Sequence, residues 1–133
     1  MDILIECHGF LGAATAIRVG NMLEEFAPLF YEESVPPETV DEMAKVAAAV
    51  NIPLATGERL YTRYAFREVL EKQIIAYIQP DLCHCGGFNE GRKIAAMAEP
   101  YHVKVCPHNS NGPISTLVGA HFGACTKTSR CWK

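Results

Sequence analysis

Two rhythms of apolar and polar positions take turns along this chain. Short apolar runs recur at Ile3-Leu4-Ile5, Leu29-Phe30-Tyr31, Pro53-Leu54-Ala55, Ile74-Ile75-Ala76-Tyr77-Ile78 and Val103-Lys104-Val105. Runs of that length, bounded by turn residues, read as buried strands, whereas the longer segments between them carry apolar residues at helical spacing. Strands are predicted over 2–7, 28–32, 53–57, 74–79 and 102–106, and helices over 13–26, 37–50, 62–72, 89–99 and 113–124. The first helix is expected to bury a face holding Ala14, Ile17, Met22 and Phe26, and the second a face holding Val40, Met43, Ala44 and Ala47. Pro37 suits a first helical turn, and Thr62 suits an N-cap.

Strict alternation of five β and five α elements predicts an α/β fold with parallel strands. A closed (β/α) barrel has about eight strands, so the expectation is a partial TIM barrel of five consecutive βα units over 1–124. The polar segment 125–133 shows no strand pattern and is left as an unassigned tail. A doubly wound open sheet would share the alternation. Against it, His8-Gly9-Phe10-Leu11-Gly12 lacks the third glycine of a phosphate-binding turn.

The polar residues that interrupt this pattern gather at the C-terminal ends of the predicted strands, where barrel active sites are built. They are Glu6 and His8, Glu32 and Glu33, Glu58 and Arg59, Asp81 and His84, and His108 and Asn109. Glu6, Glu32 and Glu58 recur at an interval of 26 residues, about one βα unit. Adjacent parallel strands lie about 4.8 Å apart, so the three carboxylates are expected to converge and repel unless a cation sits among them. Oxygen donors suit a hard ion such as Mg²⁺. Strand alternation sends Glu32 to the barrel mouth and Glu33 away from it.

Asp81 and His108 are 27 residues apart, again one unit. An aspartate that accepts from an imidazole fixes its tautomer, which makes His108 a candidate general base. His8, two residues past Glu6, faces the same side and is a candidate acid. Arg59, His84 and Asn109, at the same rim, are expected to contact substrate. His102 and His121 are expected to be structural.

Composition narrows the rest. The 133 residues are 49% hydrophobic with a net charge of −3. No basic stripe indicates nucleic acid, no apolar run reaches membrane-spanning length, and residues 1–6 lack the basic start of a secretory signal. A cytoplasmic protein with reduced thiols is expected from Cys7, Cys83, Cys85, Cys106, Cys125 and Cys131. Cys83-His84-Cys85 is not read as zinc, because neighbours on an extended chain point apart and no second pair completes the ligands.

Taken together, Ile5-Glu6-Cys7-His8-Gly9, Phe30-Tyr31-Glu32-Glu33, Thr56-Gly57-Glu58-Arg59, Ile78-Gln79-Pro80-Asp81 and Pro107-His108-Asn109 resemble the barrel domain of the enolase superfamily. Within it they are most similar to the mandelate racemase group and its acid-sugar dehydratases of the galactonate dehydratase type. The resemblance implies Mg²⁺ on Glu6, Glu32 and Glu58, an Asp81–His108 base dyad, and His8 assisting departure of the β-hydroxyl. The implied reaction removes water from an aldonic acid to leave a 2-keto-3-deoxy acid. A racemase or epimerase on the same scaffold, or a barrel piece without turnover, are the other readings. The implied partners are a small sugar acid and either a second copy of the chain or further barrel segments. Glu6 stands where the family more often has aspartate, Ser34 where it has proline, and Phe10-Leu11 where it has a polar pair.

Overall fold

A computed structural model describes residues 2–129. Its order is β1 (Leu4–Glu6), α1 (Ala13–Leu23), β2 (Phe30–Glu32), α2 (Val40–Ala49), β3 (Leu54–Thr56), α3 (Thr62–Glu71), β4 (Tyr77–Ile78), α4 (Gly87–Ala98), β5 (Lys104–Val105) and α5 (Pro113–Cys125). The five strands form one parallel sheet in chain order, β1-β2-β3-β4-β5. This is the run of consecutive βα units that the alternation predicts. Each crossover helix packs back on the same side, as right-handed parallel connections require.

Alternation along the strands splits the sheet into two faces. Tyr31, Leu54, Ile78 and Val105 join the main core with Met43, Val46, Phe66, Val69, Ile94 and Phe122 from the helices. Phe30, Ala55 and Cys106, with Tyr77 against them, form a smaller cluster on the other face. Glu32 pairs with Ala55 in register, so its side chain belongs to that second face, the interior of the curved sheet.

Several local expectations change. The buried face of α1 is Ala16 and Gly20, while Met22 and Phe26 are exposed at 67% and 57% and Ala14 is also exposed. Small residues win because the helix lies close to its neighbours: a Cβ on Gly20 would meet Val50 Cγ1 at 2.7 Å. Helix α2 starts at Val40, not Pro37. Residues 36–39 form a turn in which Thr39 N and Oγ1 donate to Pro36 O at 3.0 and 2.8 Å. Thr62 does not cap α3 with its side chain. The helix start is held instead by Glu90 of the next unit, which accepts from Arg63 N at 3.2 Å and from Arg63 Nη1 at 3.0 Å.

Beyond α5 the chain returns to the sheet. Val105 N donates to Thr128 O at 3.1 Å, and Val105 and Ser129 form a parallel bridge beside β5. Cys106 is disulfide-bonded, contrary to the expectation of reduced thiols throughout, whereas Cys7, Cys83, Cys85 and Cys125 are free. The return of the chain sets Thr128 and Ser129 beside Val105, the residue before Cys106. Cys131 and Trp132 of the tail lie outside the described residues.

Candidate active site

β1 and β2 end on Glu6 and Glu32, which are register partners. Glu58 is not level with them. Glu32 pairs with Ala55 and β3 ends at Thr56, so Glu58 already lies in the following loop. Gly57 carries it back toward the rim. Its φ of 144° is open to glycine and strained for other residues. A Cβ there would sit 2.7 Å from Gln79 N and 2.9 Å from Phe66 Cε1.

The three carboxylates each offer an oxygen within 4.8 Å of the others. At that separation, and at an effective dielectric near 20, each pair of charges repels by about 3–4 kcal/mol. Glu32 and Glu58 are buried, so water does little to relieve this. A set of three hard anionic oxygens fits a divalent cation of the Mg²⁺ type, which takes carboxylate ligands and completes its shell with water or substrate oxygens.

Two imidazoles flank Glu58. Left-handed backbone at His8 (φ 49°) and Gly9 (φ 67°) turns the chain after β1, and His8 N donates to Glu6 Oε1 at 2.7 Å. The His8 ring then places Nδ1 3.0 Å from Glu58 Oε1. On the other side, His108 Nε2 is 3.0 Å from Glu58 Oε2, and its Nδ1 is 2.8 Å from Asp81 Oδ2. Asp81 and His108 also form a parallel bridge, three residues past the ends of β4 and β5.

Asp81 is fully buried and is fed by two further donors: Cys83 N at 2.7 Å and Asn111 Nδ2 at 2.8 Å. A carboxylate so placed accepts the His108 Nδ1 proton and leaves Nε2 as the nitrogen facing the cluster. The two histidines therefore approach the acids from opposite sides of one carboxylate.

The remaining rim residues are placed as follows. His84 Nδ1 lies 3.3 Å from Glu58 O, and its ring stands against Tyr61 at a centroid distance of 6.4 Å. Asn109 Nδ2 donates to Thr116 Oγ1 at 2.8 Å, and its Oδ1 accepts from Asn111 N at 3.2 Å, so it braces the loop after β5. Arg59 reaches back to Glu33, with Nε donating to Oε2 at 2.8 Å. His102 and His121 are both exposed. His102 ends a tight 3-10 turn before β5, with φ 58°, and does not lie on a strand.

Glu33 overturns a simple use of alternation. Its φ of 39° takes it out of the strand, and its carboxylate comes within 4.8 Å of ligand atoms of Glu6 and His8 instead of pointing away from the mouth. Burial raises its pKa above the ordinary carboxylate value, against the lowering pull of the Arg59 guanidinium. Cys7, between Glu6 and His8, is turned to the main core. Burial raises the pKa of its thiol above the ordinary value. Asn111, which the sequence pattern does not single out, supports Asp81 directly. A lone polar residue in an irregular loop carries no periodic signal that could mark it.

A parallel sheet of consecutive βα units whose strand ends gather acids and histidines in this order has the layout of part of a (β/α) barrel, and the chain belongs to the enolase C-terminal domain-like family, whose model matches residues 1–132. It is 45% identical over 121 residues to a D-galactonate dehydratase of Xanthomonas euvesicatoria, covering 91% of this chain and 32% of that protein. It is 44% identical over 115 residues to a D-galactonate dehydratase of Variovorax paradoxus, covering 86% of this chain and 30% of that one. Among solved structures, an enolase-superfamily member from Salmonella Typhimurium superposes with a TM-score of 0.96 at 43% identity, covering 98% of this chain and 33% of the other. A mandelate racemase/muconate lactonizing enzyme-like protein from Roseovarius sp. TM1035 gives a TM-score of 0.95 at 44% identity, covering 99% of this chain and 34% of the other. The chain thus spans about a third of the length of the relatives it matches. Among the described residues, no helix is long and apolar enough to cross a membrane.

Proposed function

We propose that these residues form the catalytic rim of a Mg²⁺-dependent acid-sugar dehydratase that acts on an aldonic acid of the galactonate kind. The observation that carries this reading is the position of Glu58, joined to two acids within 4.8 Å and flanked by His8 and His108 at 3.0 Å each. Glu6, Glu32 and Glu58 would hold the cation, which supplies positive charge to a substrate carboxylate as the neighbouring carbon loses its proton. His108 Nε2 takes that α-proton. Asp81 keeps the proton of His108 on Nδ1 and steadies the imidazolium that forms. His8, on the far side of Glu58, gives a proton to the departing β-hydroxyl, so that water departs and leaves an enol, which takes up a proton at C3 and becomes the 2-keto-3-deoxy acid. His84 and Asn109 line the rim where the sugar chain would lie.

The names of the relatives favour elimination over racemisation. Because the chain covers only about a third of those relatives, the activity proposed is that of a barrel to which these units contribute. The edge of β1, with Ile3 and Leu4 exposed at 42% and 43%, is where further strands of the same protein or of a second copy would pair. A panel of aldonic acids incubated with Mg²⁺ tests the reading by release of 2-keto-3-deoxy acid and by exchange of the α-proton in D₂O. Exchange that is unaffected by chelation, or that survives Glu58→Gln, would contradict it.

A further inference from the structure

Glu33 and Arg59 each follow a carboxylate of the acid triad, Glu32 and Glu58 respectively. Their side chains meet: Arg59 Nε and Nη2 approach Glu33 Oε2 at 2.8 and 2.6 Å, and Glu33 is fully buried. The backbone of Glu33 is tied on both sides as well. Its carbonyl accepts from Gly9 N at 2.7 Å, and its N donates to Ala55 O at 3.0 Å. Gly9 in turn leaves room for the arginine. A Cβ at that position would collide with the Arg59 guanidinium and lie 3.1 Å from Pro36 Cα. The ion pair therefore joins the loops that follow β2 and β3, the Gly9–Glu33 backbone hydrogen bond ties in the loop that follows β1, and each of those strand ends delivers one acid of the triad.

Stability alone is a poor reason for such a pair, because replacing a buried ion pair by apolar groups is often neutral or favourable. Its place is better explained by the acids beside it. Glu6, Glu32 and Glu58 repel one another, and a small cation needs their oxygens held at a fixed spacing. A rigid cross-link at the base of two of them opposes their separation. The Arg59 guanidinium is committed to Glu33, and a planar fork engaged in this way is poorly placed to bind a mobile substrate as well.

We propose that Glu33 and Arg59 are positioning residues that set the separation of Glu32 and Glu58 for a shared divalent cation, and that Arg59 acts on metal affinity through Glu33 without touching substrate. The inference rests on the metal-site reading above. It is tested by titrating the whole chain with Mn²⁺ alone and counting free Mn²⁺ by electron paramagnetic resonance. The variants are Arg59→Met, Glu33→Gln, the double variant, Arg59→Lys, and Glu58→Gln as a control.

Loss of an outer partner of a metal ligand typically costs about 10–100-fold in affinity. That loss is expected for each single variant. The double variant should lose no more than the worse single one, because both changes break one device. Arg59→Lys should recover part of the affinity. Circular dichroism reports whether each variant folds, and the double variant leaves no unpaired buried charge should Arg59→Met fail to fold. A double variant that binds Mn²⁺ as tightly as the wild type, beside a Glu58→Gln that does not, overturns the clamp and leaves the metal site standing. Equal binding by wild type and Glu58→Gln overturns the metal site and the clamp together.

Discussion

The two ring nitrogens of His108 have separate duties. Nδ1 is committed to Asp81 at 2.8 Å, and Nε2 faces the acids. Replacing the residue by asparagine keeps a polar side chain near Glu58 but removes the proposed base. His108→Asn is expected to lower α-proton exchange by about 10²–10⁴-fold, the usual worth of a general base, while Mn²⁺ binding stays within a few-fold. Exchange is read by NMR in D₂O, and a parallel loss of metal binding would show that His108 shapes the site and does not act as its base. Gly57 works at the same scale by having no side chain. Gly57→Ala places a methyl 2.7 Å from Gln79 N at a φ of 144°. A loss of about 1–3 kcal/mol in urea unfolding is expected from such overpacking, together with weaker metal binding as Glu58 shifts.

At the scale of elements, neighbouring units are stitched together by side chains about one repeat apart. Glu24 accepts from Asn51, Glu33 from Arg59, and Glu90 from Arg63. Glu90 both caps α3 and pairs with Arg63, and the hydrogen bond from Arg63 N, followed by the guanidinium charge, holds its carboxyl below the ordinary value of 4.5. A carboxyl whose pKa is depressed by folding contributes stability above its unfolded pKa and loses it as pH falls through the folded one. Glu90→Gln should therefore lower the melting temperature at pH 7. The gap from wild type should narrow as pH falls through the depressed pKa of this carboxyl, which lies below its ordinary value. Thermal melts by circular dichroism at a series of pH values check this, and a gap that does not narrow on acidification would assign the effect to packing.

For the molecule as a whole, a cation that binds only the folded rim adds to its stability by mass action. Mg²⁺ at about 100 times its dissociation constant is expected to add about 2.7 kcal/mol, which chelation should remove. Glu58→Gln should abolish the increment, so a melting temperature that rises equally with Mg²⁺ in both proteins would place the ion elsewhere. The likeness to solved relatives, with TM-scores of 0.95 and above, extends over nearly the whole chain. The five units therefore keep the geometry they have in those longer proteins.

Much of this architecture is legible in the amino-acid order. Strand length and helical spacing are local properties, so the order of the ten elements can be read directly from apolar positions, as can the residues that end each strand. Asp81 and His108 fall in register because their units have matching lengths, and the interval of 27 residues reports that. The interval of 26 residues between Glu32 and Glu58 is less transparent. In the sheet Glu32 is level with Ala55, and Glu58 reaches the cluster only through the turn at Gly57. The inward turn of Glu33, the support of Asp81 by Asn111, and the burial of Ala16 and Gly20 in place of Met22 and Phe26 carry no periodic trace. The amino-acid order by itself determined which elements form and which chemical groups stand at the rim, since both follow from neighbours a few positions apart. The tertiary structure alone decided which of those groups meet, because that depends on left-handed backbone turns and close helix approaches set by packing between distant parts of the chain.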